Sequence, residues 1–520
     1  MVTRSIRNFT RAITIARTLT RHGAGDVLDQ LGVLKAVRTV LCLGVGPPRK
    51  GAPDRLGLQL SAAAQELGPA FIKFGQSLST RPDVVGKEIA ADLAELRDRL
   101  EPFSGATARQ IIGEQLGRDV DEIFADFEDQ PVAAASIAQV HFAGLADGSH
   151  MAVKVLRPGI EEKFARDIDF FLWGAEWLES LYPPMRRLAP VQVVKTFRKS
   201  AATEMDLRLE AAAASELAEN FERDTTFQVP DVDWSRTQRR VLTTDRIGGI
   251  PIADQSALTS AGRNLQQIAR NLILGFLKQA FRDGFFHADL HQGNLFVDDH
   301  DNIVAVDFGI MGRLDRRTRL YVAEMLLAFL VGDYRRAAEV HFEAGYVPRD
   351  QSVDSFAQAC RSIAEPIFDR PPAEVSMAKL FTQLFSITES FNMRTQPQLL
   401  LLQKTMVVVE GICRDLAPDA DQWAIAREFL DEWVPENLGP MAKAKEAITE
   451  VADAARKLPG LVEKAELAAL ALAPKGLFSE NDGDAAQVFG HRESARRMST
   501  NKILYGMILV LVIVVVTQLF

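Results

Sequence analysis

The sequence contains a stretch whose polar residues have the types and the spacing that phosphoryl transfer requires. It reads HADLHQGN from His287 to Asn294 and is followed by Asp307-Phe308-Gly309. Asp289 would accept or orient the proton of an attacking hydroxyl, whereas Asn294 and Asp307 offer the oxygen ligands that Mg²⁺ prefers beside a triphosphate. The tripeptide DFG alone is a weak signal. The two motifs together, bounded by apolar strands, predict a catalytic loop and a metal-binding loop.

A competing interpretation of the same stretch is a zinc site. His287 and His291 have the i, i+4 spacing that lets two imidazoles share a metal on a helix, with Asp289 nearby as a further ligand. Gly293 and the strand-like residues after it favour a loop instead, and no further ligand is evident. We therefore expect His287 to orient the loop.

Upstream, a predicted strand carries a lysine that is suited to phosphate binding. The segment MAVKVL places Lys154 on the strand that follows a hairpin turn at Ala146-Asp147-Gly148. In protein kinases a V-A-I-K strand uses its lysine to hold the α- and β-phosphates. A strand lysine by itself carries little information, but the position of Lys154 between a small-residue loop and the catalytic loop favours phosphate contact.

The loop before this strand is rich in alanine, where a kinase has glycine. The candidates for contact with the nucleotide are Ala133, Ala134, Ala135, Ser136, Ile137, Ala138, Gln139 and Val140. Glycine lets backbone N–H groups approach phosphates closely, whereas alanine disfavours a positive φ. We therefore expect a stiffer loop that sits differently from a glycine-rich one, with backbone amides that still face phosphate.

A second lysine lies in an apolar helical stretch nearer the N terminus, where KFGQ begins with Lys73 and ends with Gln76. These side chains would set a cation and an amide over a polar site, although an ordinary helix surface would read the same way.

Three carboxylates, Glu204, Asp206 and Glu210, follow the strand that carries Lys154. An unpaired buried charge is costly, so we expect one carboxylate to pair with Lys154 and another to meet Lys73. The sequence does not decide whether Glu204 or Glu210 pairs with Lys154. It favours Glu210, which would leave Glu204 nearer Lys73.

The elements around these motifs predict an α+β architecture with a small mixed lobe and a larger helical lobe. The segments are residues 1–59 with basic amphipathic helices, 60–130 as a helical extension, 131–250 as the N-lobe with inserted helices, 251–473 as the helical C-lobe, 474–500 as a polar linker and 503–520 as an apolar anchor.

The composition excludes several classes of protein. The 520 residues are 47% hydrophobic and 25% charged, which suits a globular protein and excludes a disordered, collagen-like or disulfide-stapled chain. A net charge of −9 gives no overall field that would favour nucleic acid. The cysteines Cys42, Cys360 and Cys413 form no CxxC pair, so we expect buried apolar thiols.

Both ends suggest contact with a membrane. The run from Ile503 to Phe520 is uncharged, and as a helix it would span about 27 Å. The basic residues before it predict that the bulk of the protein lies on the cytoplasmic side.

The N-terminal segment is basic, and its apolar residues recur at helical spacing at Ile6, Phe9, Ile13 and Ala16. Contact with anionic lipids, a mitochondrial transit peptide and a solvated helix all fit this pattern.

Together these motifs resemble the UbiB family of atypical kinase-like proteins, which is associated with ubiquinone (coenzyme Q) biosynthesis. The hallmarks are KFGQ with STRPD (73–83), AAAS (133–136), AVK (152–154), ExD (204–206), HADLHQGN and DFG. The KxGQ and alanine-rich motifs are much more specific than DFG. Family members often read HADPHPGN, so Leu290 and Gln292 replace two prolines here.

The resemblance implies a bilobal protein-kinase-like fold that binds ATP or ADP with Mg²⁺. Carried onto this chain, Lys154 would contact the phosphates, Asp289 would be the catalytic acceptor, and Asn294 and Asp307 would hold the metal. The extension, with Lys73 and Gln76 at the catalytic site, would cover the place where a protein kinase docks its peptide.

Two hypotheses about function follow. The first is a kinase or ATPase that acts on a small or lipid-like substrate at the membrane, on the cytoplasmic face of an inner membrane or on the matrix face if the protein is mitochondrial. Its partners would be anionic lipids and quinone-biosynthesis enzymes or phenolic precursors, with a homo-oligomer left open. The second is a nucleotide-gated scaffold.

Phosphorylation of peptides is not expected, because the chain passes from DFG straight into helix without an APE motif.

Overall fold

The computed structural model describes most of the chain up to residue 438, and the elements below lie within it. The described residues are 2–24, 53–79, 85–94, 96, 100–181, 189–368, 380, 383–384, 387, 390–393 and 396–438. The helices are α1 (Val2–Arg21), α2 (Leu56–Leu67), α3 (Pro69–Ser79), α4 (Lys87–Ala94), α5 (Gly105–Leu116), α6 (Val120–Ile123), α7 (Ile160–Leu181), α8 (Pro190–Glu204), α9 (Leu207–Phe221), α10 (Gln255–Ser260), α11 (Leu265–Leu277), α12 (Arg316–Leu330), α13 (Tyr334–Glu343), α14 (Val353–Phe368), α15 (Pro397–Leu416) and α16 (Gln422–Leu438). The strands are β1 (Asp126–Phe127), β2 (Ala133–Ala134), β3 (Ala138–Gly144), β4 (His150–Leu156), β5 (Phe227–Gln228), β6 (Val241–Asp245), β7 (Ile250–Pro251), β8 (Phe285–His287), β9 (Leu295–Val297), β10 (Ile303–Ala305) and β11 (Met311–Arg313).

The N-lobe is built on a five-stranded sheet in the order β1-β3-β4-β6, with β2 paired to β3. The predicted hairpin joins β3 and β4, and Gly148 takes a positive φ of 89° in its turn. Side chains alternate along β4, so that Val153 and Val155 enter a core against α5 while Lys154 faces the opposite side. This alternation aims Lys154 at the cleft between the lobes.

The helical extension covers the side of the sheet that carries Lys154. Helices α2, α3 and α4 pack with α7 and α8 in one apolar cluster that also takes in Leu156 and Leu242 from the sheet. Aromatic rings fix α3 in place, because Phe74 stacks on Phe171 with ring centroids 4.6 Å apart and meets Phe197 edge-on. The extension is therefore part of the core of this lobe.

The N-terminal segment forms the predicted helix, but α1 is not a solvated helix. Its side chains Ala12, Ile15 and Ala16 are buried in the same cluster as the extension. Arg11 forms a two-pronged ion pair with Asp167 of α7, with N–O distances of 2.8 and 3.0 Å. The apolar side chains of α1 that the structure describes therefore pack inside the protein, although the sequence suggested that this face could contact a membrane.

The C-lobe positions the two candidate catalytic motifs with short strand pairs against a helical core. Strands β9 and β10 form an antiparallel hairpin whose turn contains Asp301 at a positive φ of 63°. Strand β8 pairs antiparallel with β11. Helices α11, α12, α15 and α16 pack around these strands. The predicted α+β architecture of two lobes is confirmed.

Two of the three cysteines lie in the described part of the chain. Cys360 and Cys413 are buried, and burial raises the pKa of both thiols, for Cys360 to about 12. Both are apolar side chains of the core, as predicted, whereas Cys42 lies outside the described residues.

No helix in the described part of the chain is both long and apolar enough to cross a membrane. The predicted linker at 474–500 and the predicted anchor at 503–520 lie outside that part.

Candidate active site

Lys154, which is itself largely buried, stands at the centre of a charge network in the cleft. Its Nζ lies 2.7 Å from Glu210 Oε1 and 3.1 Å from Asp307 Oδ1. Burial by itself would lower the pKa of the Lys154 ammonium, but the carboxylates of Asp307 and Glu210 raise it above its ordinary value. The lysine is therefore a permanent cation that joins the sheet, helix α9 and the DFG motif.

The position of Glu210 follows from the way α9 begins. Asp206 caps the helix by accepting a hydrogen bond from the backbone N–H of Arg208, which sets Glu210 in the first turn with its side chain facing inward. Burial raises the pKa of the Glu210 carboxyl, against the effect of Lys154. The pairing that the sequence favoured for Lys154 is the one found.

Asp307 lies in the left-handed region with a φ of 62°, which is uncommon for residues other than glycine and which Asp adopts more readily than most. Burial by itself would raise the pKa of its carboxyl, but Lys154, and less strongly Lys73, hold that pKa well below its usual range. The side chain is 46% exposed, so an ionised carboxylate is presented at the surface of the cleft.

The catalytic loop is organised by His287, which is fully buried. Its Nδ1 accepts a hydrogen bond from the backbone N–H of Asp289 at 3.1 Å, and its Nε2 lies 3.3 Å from Val306 O. Burial lowers the pKa of the imidazole, which fits a neutral ring that donates from Nε2. The backbone N–H of His287 donates to Gln279 Oε1, in the π-helical segment Lys278–Asp283 that follows α11. His287 thus orients the loop, as the sequence suggested.

Asn294 and Asp307 are brought together by the β9–β10 hairpin. The backbone N–H of Val306, next to Asp307, donates to Asn294 O at 2.9 Å. The side-chain amide of Asn294 donates to Asp289 O, so its Oδ1 is the atom left to act as a ligand. One carboxylate and one amide oxygen suit Mg²⁺, which binds proteins through few side chains and completes its shell with phosphates and water.

The zinc interpretation gains no support. Both ring nitrogens of His287 are engaged, and His291 uses its Nδ1 to accept from the backbone of Gly293. Nowhere in the described ranges do three or more His, Cys, Asp or Glu side chains gather into a group that could hold a metal ion.

The segment predicted as an alanine-rich loop comprises β2, a turn at residues 135–137 and the start of β3, and its turn is held by Arg157. The guanidinium donates two hydrogen bonds to Ala135 O, at 3.0 and 2.8 Å, and others to the carbonyls of Leu100 and Glu101. The amide of Ala135 is used inside the turn, where it donates to Ala138 O at 2.8 Å. Arg157 was not singled out from the sequence, although an arginine directly after a functional strand is a visible signal.

The side chains of the predicted loop residues lie in different places. Exposure falls along the loop from Ala133, which is exposed, through Ala134 and Ala135 to buried Ser136, Ile137, Ala138 and Gln139, while Val140 is partly buried.

Val140 lies opposite Lys154 and shares its face of the sheet. Gln139 lies opposite Val155, and its side chain bonds to the backbone of Phe103 and to His141 on the far side. The structure therefore does not bring the Gln139 side chain into the cleft.

The KFGQ motif divides between the site and the core. Lys73 Nζ lies 3.1 Å from Glu204 Oε2, the pairing that the sequence left open, and it acts on the Asp307 carboxyl as noted above. The side chain of Gln76 donates to Leu96 O at 3.4 Å, within the extension. Lys73 therefore belongs to the charge network, whereas Gln76 braces the extension.

Asp289 has a partner that sequence reasoning missed. Lys404 of α15 places its Nζ 3.0 Å from Asp289 Oδ1. The available signal was a single lysine within the otherwise apolar run LLLLQKTMVVV. That signal does not say which distant residue the lysine would meet.

Comparisons with known proteins identify related chains. A family model described as the ABC1 atypical kinase-like domain matches residues 95–341, and a model described as the UbiB helical domain matches residues 360–421. The "Probable protein kinase UbiB" of Marinobacter nauticus is 44% identical over 402 residues, which cover 76% of this chain and 73% of that protein. The protein of the same name from Sodalis glossinidius is 40% identical over 457 residues, or 87% of this chain and 84% of that one.

A solved structure has a similar fold. Rv3197 of Mycobacterium tuberculosis, determined in complex with erythromycin, matches with a TM-score of 0.51 at 24% identity, over 68% of this chain and 90% of that chain.

Proposed function

The chain belongs to the UbiB family, with an ABC1 atypical kinase-like domain followed by a UbiB helical domain, and on that premise we propose that it is a membrane-anchored atypical kinase or ATPase that binds Mg-ATP and supports ubiquinone biosynthesis. Its substrate would be a small or lipid-like molecule or a partner enzyme of the pathway. The names of the curated relatives, which call them probable protein kinases, support the transferase class.

The observation that carries the proposal is the contact of Lys154 with both Glu210 and Asp307, at 2.7 and 3.1 Å. A lysine held between two carboxylates is pre-positioned for phosphate oxygens, and it stays charged in a partly desolvated cleft. The loop with Asp289 and Asn294 lies directly beside it, joined through the backbone contact of Val306 with Asn294. These are the parts that phosphoryl transfer needs.

Each residue has one role in this proposal. Lys154 binds phosphate oxygens, and Asp289 orients an acceptor hydroxyl or a water and receives its proton. Asn294 and Asp307 hold Mg²⁺, which when bound neutralises charge on the phosphates. In the transfer, the bond between the acceptor oxygen and the γ-phosphorus forms, the bond between that phosphorus and the β,γ-bridging oxygen breaks, and its electron pair leaves with ADP.

A peptide substrate is disfavoured. After the DFG motif the chain forms the short strand β11 and then enters α12 at Arg316, so there is no long activation loop in this part of the structure. The extension lies over the same cleft, with Lys73 in its charge network. A small acceptor, or the head of a lipid-like molecule, fits this restricted access better than an extended peptide. The apolar run at 503–520 supports action at a membrane.

A nucleotide-gated scaffold is the second candidate, and one observation favours it. Asp289, the predicted proton acceptor, is paired with Lys404, and Lys73 is paired with Glu204 beside the cleft. Ion pairs of this kind can hold a protein in one shape until a nucleotide rearranges them. In that case binding of ATP would matter and turnover would not.

The deciding experiment measures ATP hydrolysis by the full-length protein in liposomes that contain anionic lipid, with and without Mg²⁺ and a phenolic quinone precursor. The variants are Asp307→Asn and Asp289→Asn, with Asp350→Asn as an exposed control outside the cleft. We expect Mg²⁺-dependent turnover that falls by about 100-fold or more in both site variants and is unchanged in the control. Tight nucleotide binding without turnover in every condition would favour the scaffold instead.

A further inference from the structure

An ion pair joins the two family domains at the candidate catalytic residue. Lys404 belongs to the segment that matches the UbiB helical domain, and Asp289 belongs to the atypical kinase-like domain. The distance between Lys404 Nζ and Asp289 Oδ1 is 3.0 Å, which is a charge-assisted hydrogen bond. The side chains are 41% and 30% exposed, so the pair lies at the open side of the cleft rather than in the core.

The helix that carries Lys404 is firmly placed. Helix α15 packs against α11, and it also contacts β11, the partner strand of β8, which leads into the catalytic loop. Neighbouring residues of α15, including Leu402, Thr405 and Met406, are buried, and this fixes the side of the helix on which Lys404 emerges. The ammonium is therefore presented to the loop by a packed element.

The two oxygens of Asp289 have different surroundings. Oδ1 accepts from Lys404, whereas Oδ2 lies 3.9 Å from His291 Nε2, beyond hydrogen-bond distance. A carboxylate fixed through one oxygen has its rotation restricted and presents the other oxygen in a defined direction. Oδ2 is the oxygen that remains for the proton of an acceptor hydroxyl or water.

Charge gives a second reason for a cation at this place. In the proposed reaction Asp289 works beside the carboxylate of Asp307 and the phosphates of ATP. Like charges that lie close together repel one another strongly where water is partly excluded. The ring of His291 makes no hydrogen bond to Asp289, because its Nδ1 accepts from the backbone of Gly293 and its Nε2 lies 3.9 Å from Asp289 Oδ2. Lys404 supplies the compensating charge from outside the kinase-like domain.

We propose that Lys404 is a positioning residue for Asp289, supplied by the UbiB helical domain, and that the active site is complete only when that domain is docked. The inference rests on the proposed function and deepens it. Lys404 holds Oδ1, Asp289 receives the acceptor proton on Oδ2, and the phosphoryl group moves from ATP to the acceptor with ADP as the leaving group. The helical domain thereby becomes a means of controlling turnover.

The test compares Lys404→Met, which keeps most of the length of the side chain and removes its charge, with Lys404→Arg, which restores a cation. Arg427→Met, at an exposed position of α16, the helix that follows α15, is the control. For each full-length protein in liposomes, kcat, the KM for Mg-ATP, the equilibrium Kd for nucleotide and the thermal midpoint are measured. Asp289→Asn and the double variant Asp289→Asn/Lys404→Met complete a cycle.

We expect Lys404→Met to lower kcat by about 10- to 100-fold, the scale of a misplaced catalytic group, while Kd and the thermal midpoint stay near those of the unmodified protein. Lys404→Arg should recover part of kcat, and Lys404→Met should cause no further loss in the Asp289→Asn background.

An unchanged kcat in Lys404→Met would overturn the inference and leave the proposed function intact. A raised Kd at constant kcat would also overturn it, because Lys404 would then be a nucleotide-binding group. No turnover in the unmodified protein would overturn the proposed function and the inference together.

Discussion

Lys73 of the helical extension and Glu204, the last residue of α8, form an ion pair of 3.1 Å in which the two side chains are only 13% and 16% exposed. Glu204 comes just before α9, the helix that carries Glu210, the partner of Lys154. The same Lys73 ammonium helps to hold the pKa of Asp307 low. The extension is thus tied by charge, and not only by apolar packing, to the end of α8 next to α9 and to the DFG motif of the candidate nucleotide site.

The first prediction concerns this pair. Lys73→Met removes a cation that lies 3.1 Å from the largely buried carboxylate of Glu204, so the free energy of unfolding should fall by about 3 kcal/mol. Adding Glu204→Gln removes the charge of the carboxylate as well and should recover most of the loss. Denaturant titrations of the two single variants and the double variant measure the coupling. Additive losses would mean that the pair contributes no coupling energy.

The second prediction concerns Glu210. In Glu210→Gln, Lys154 loses one of its two carboxylate partners, so kcat/KM for Mg-ATP should fall by about 10- to 100-fold, the equivalent of one charged hydrogen bond. Glu219→Gln changes an exposed residue of the same helix and is the control. Steady-state hydrolysis gives the comparison. Equal rates for the two variants would show that Lys154 is held without Glu210.

The third prediction concerns the support of the alanine-rich loop. Arg157→Met removes the donor to the carbonyls of Ala135, Leu100 and Glu101, so the Kd for a fluorescent ATP analogue should rise about tenfold. Arg157→Lys should restore little of the affinity, because an ammonium cannot reproduce the forked geometry of a guanidinium.

Arg166→Met, at an exposed position of α7, is the control for Arg157→Met. Unchanged affinity in Arg157→Met would mean that the loop keeps its shape without the arginine.

The fourth prediction is a dependence of stability on pH. Burial lowers the pKa of His341 from 6.5 to about 4. Between these values the unfolded chain takes up a proton that the folded protein does not, so this contribution to stability is complete above pH 6.5 and is lost as the pH falls to 4. The loss amounts to about 3 kcal/mol.

Replacement of His341 tests this dependence on pH. Denaturant titrations at several pH values should show a shallower decrease in stability for His341→Phe than for the unmodified protein. Parallel curves would assign the acid sensitivity to other groups.

Much of the site was predictable because its residues are close together in the sequence. The loop from His287 to Asn294 and the following DFG motif are separated by a single hairpin, whose turn at Asp301 has the residue type that tolerates a positive φ. Alternation along a strand then directs Lys154 to one face, and the spacing after α9 begins puts Glu210 in its first turn. Short-range geometry of this kind follows from the backbone alone.

The sequence was less informative about long-range contacts. Lys404 with Asp289, Lys73 with Glu204 and Arg157 with Ala135 are each brought together by the packing of separate elements. The direction in which a helical lysine leaves the surface depends on how the helix is rotated in its core, and local periodicity does not determine the partner that it meets.

What the sequence by itself determined is the family, the two-lobed α+β architecture and the identity of the candidate catalytic and metal-binding residues, because motif residues and apolar periodicity are local properties of the chain. The tertiary structure alone decided that Gln139 faces away from the cleft, that α1 is packed against the extension, and that the helical domain reaches Asp289 through Lys404. These facts depend on strand register and on helix docking, which are set by the whole core at once.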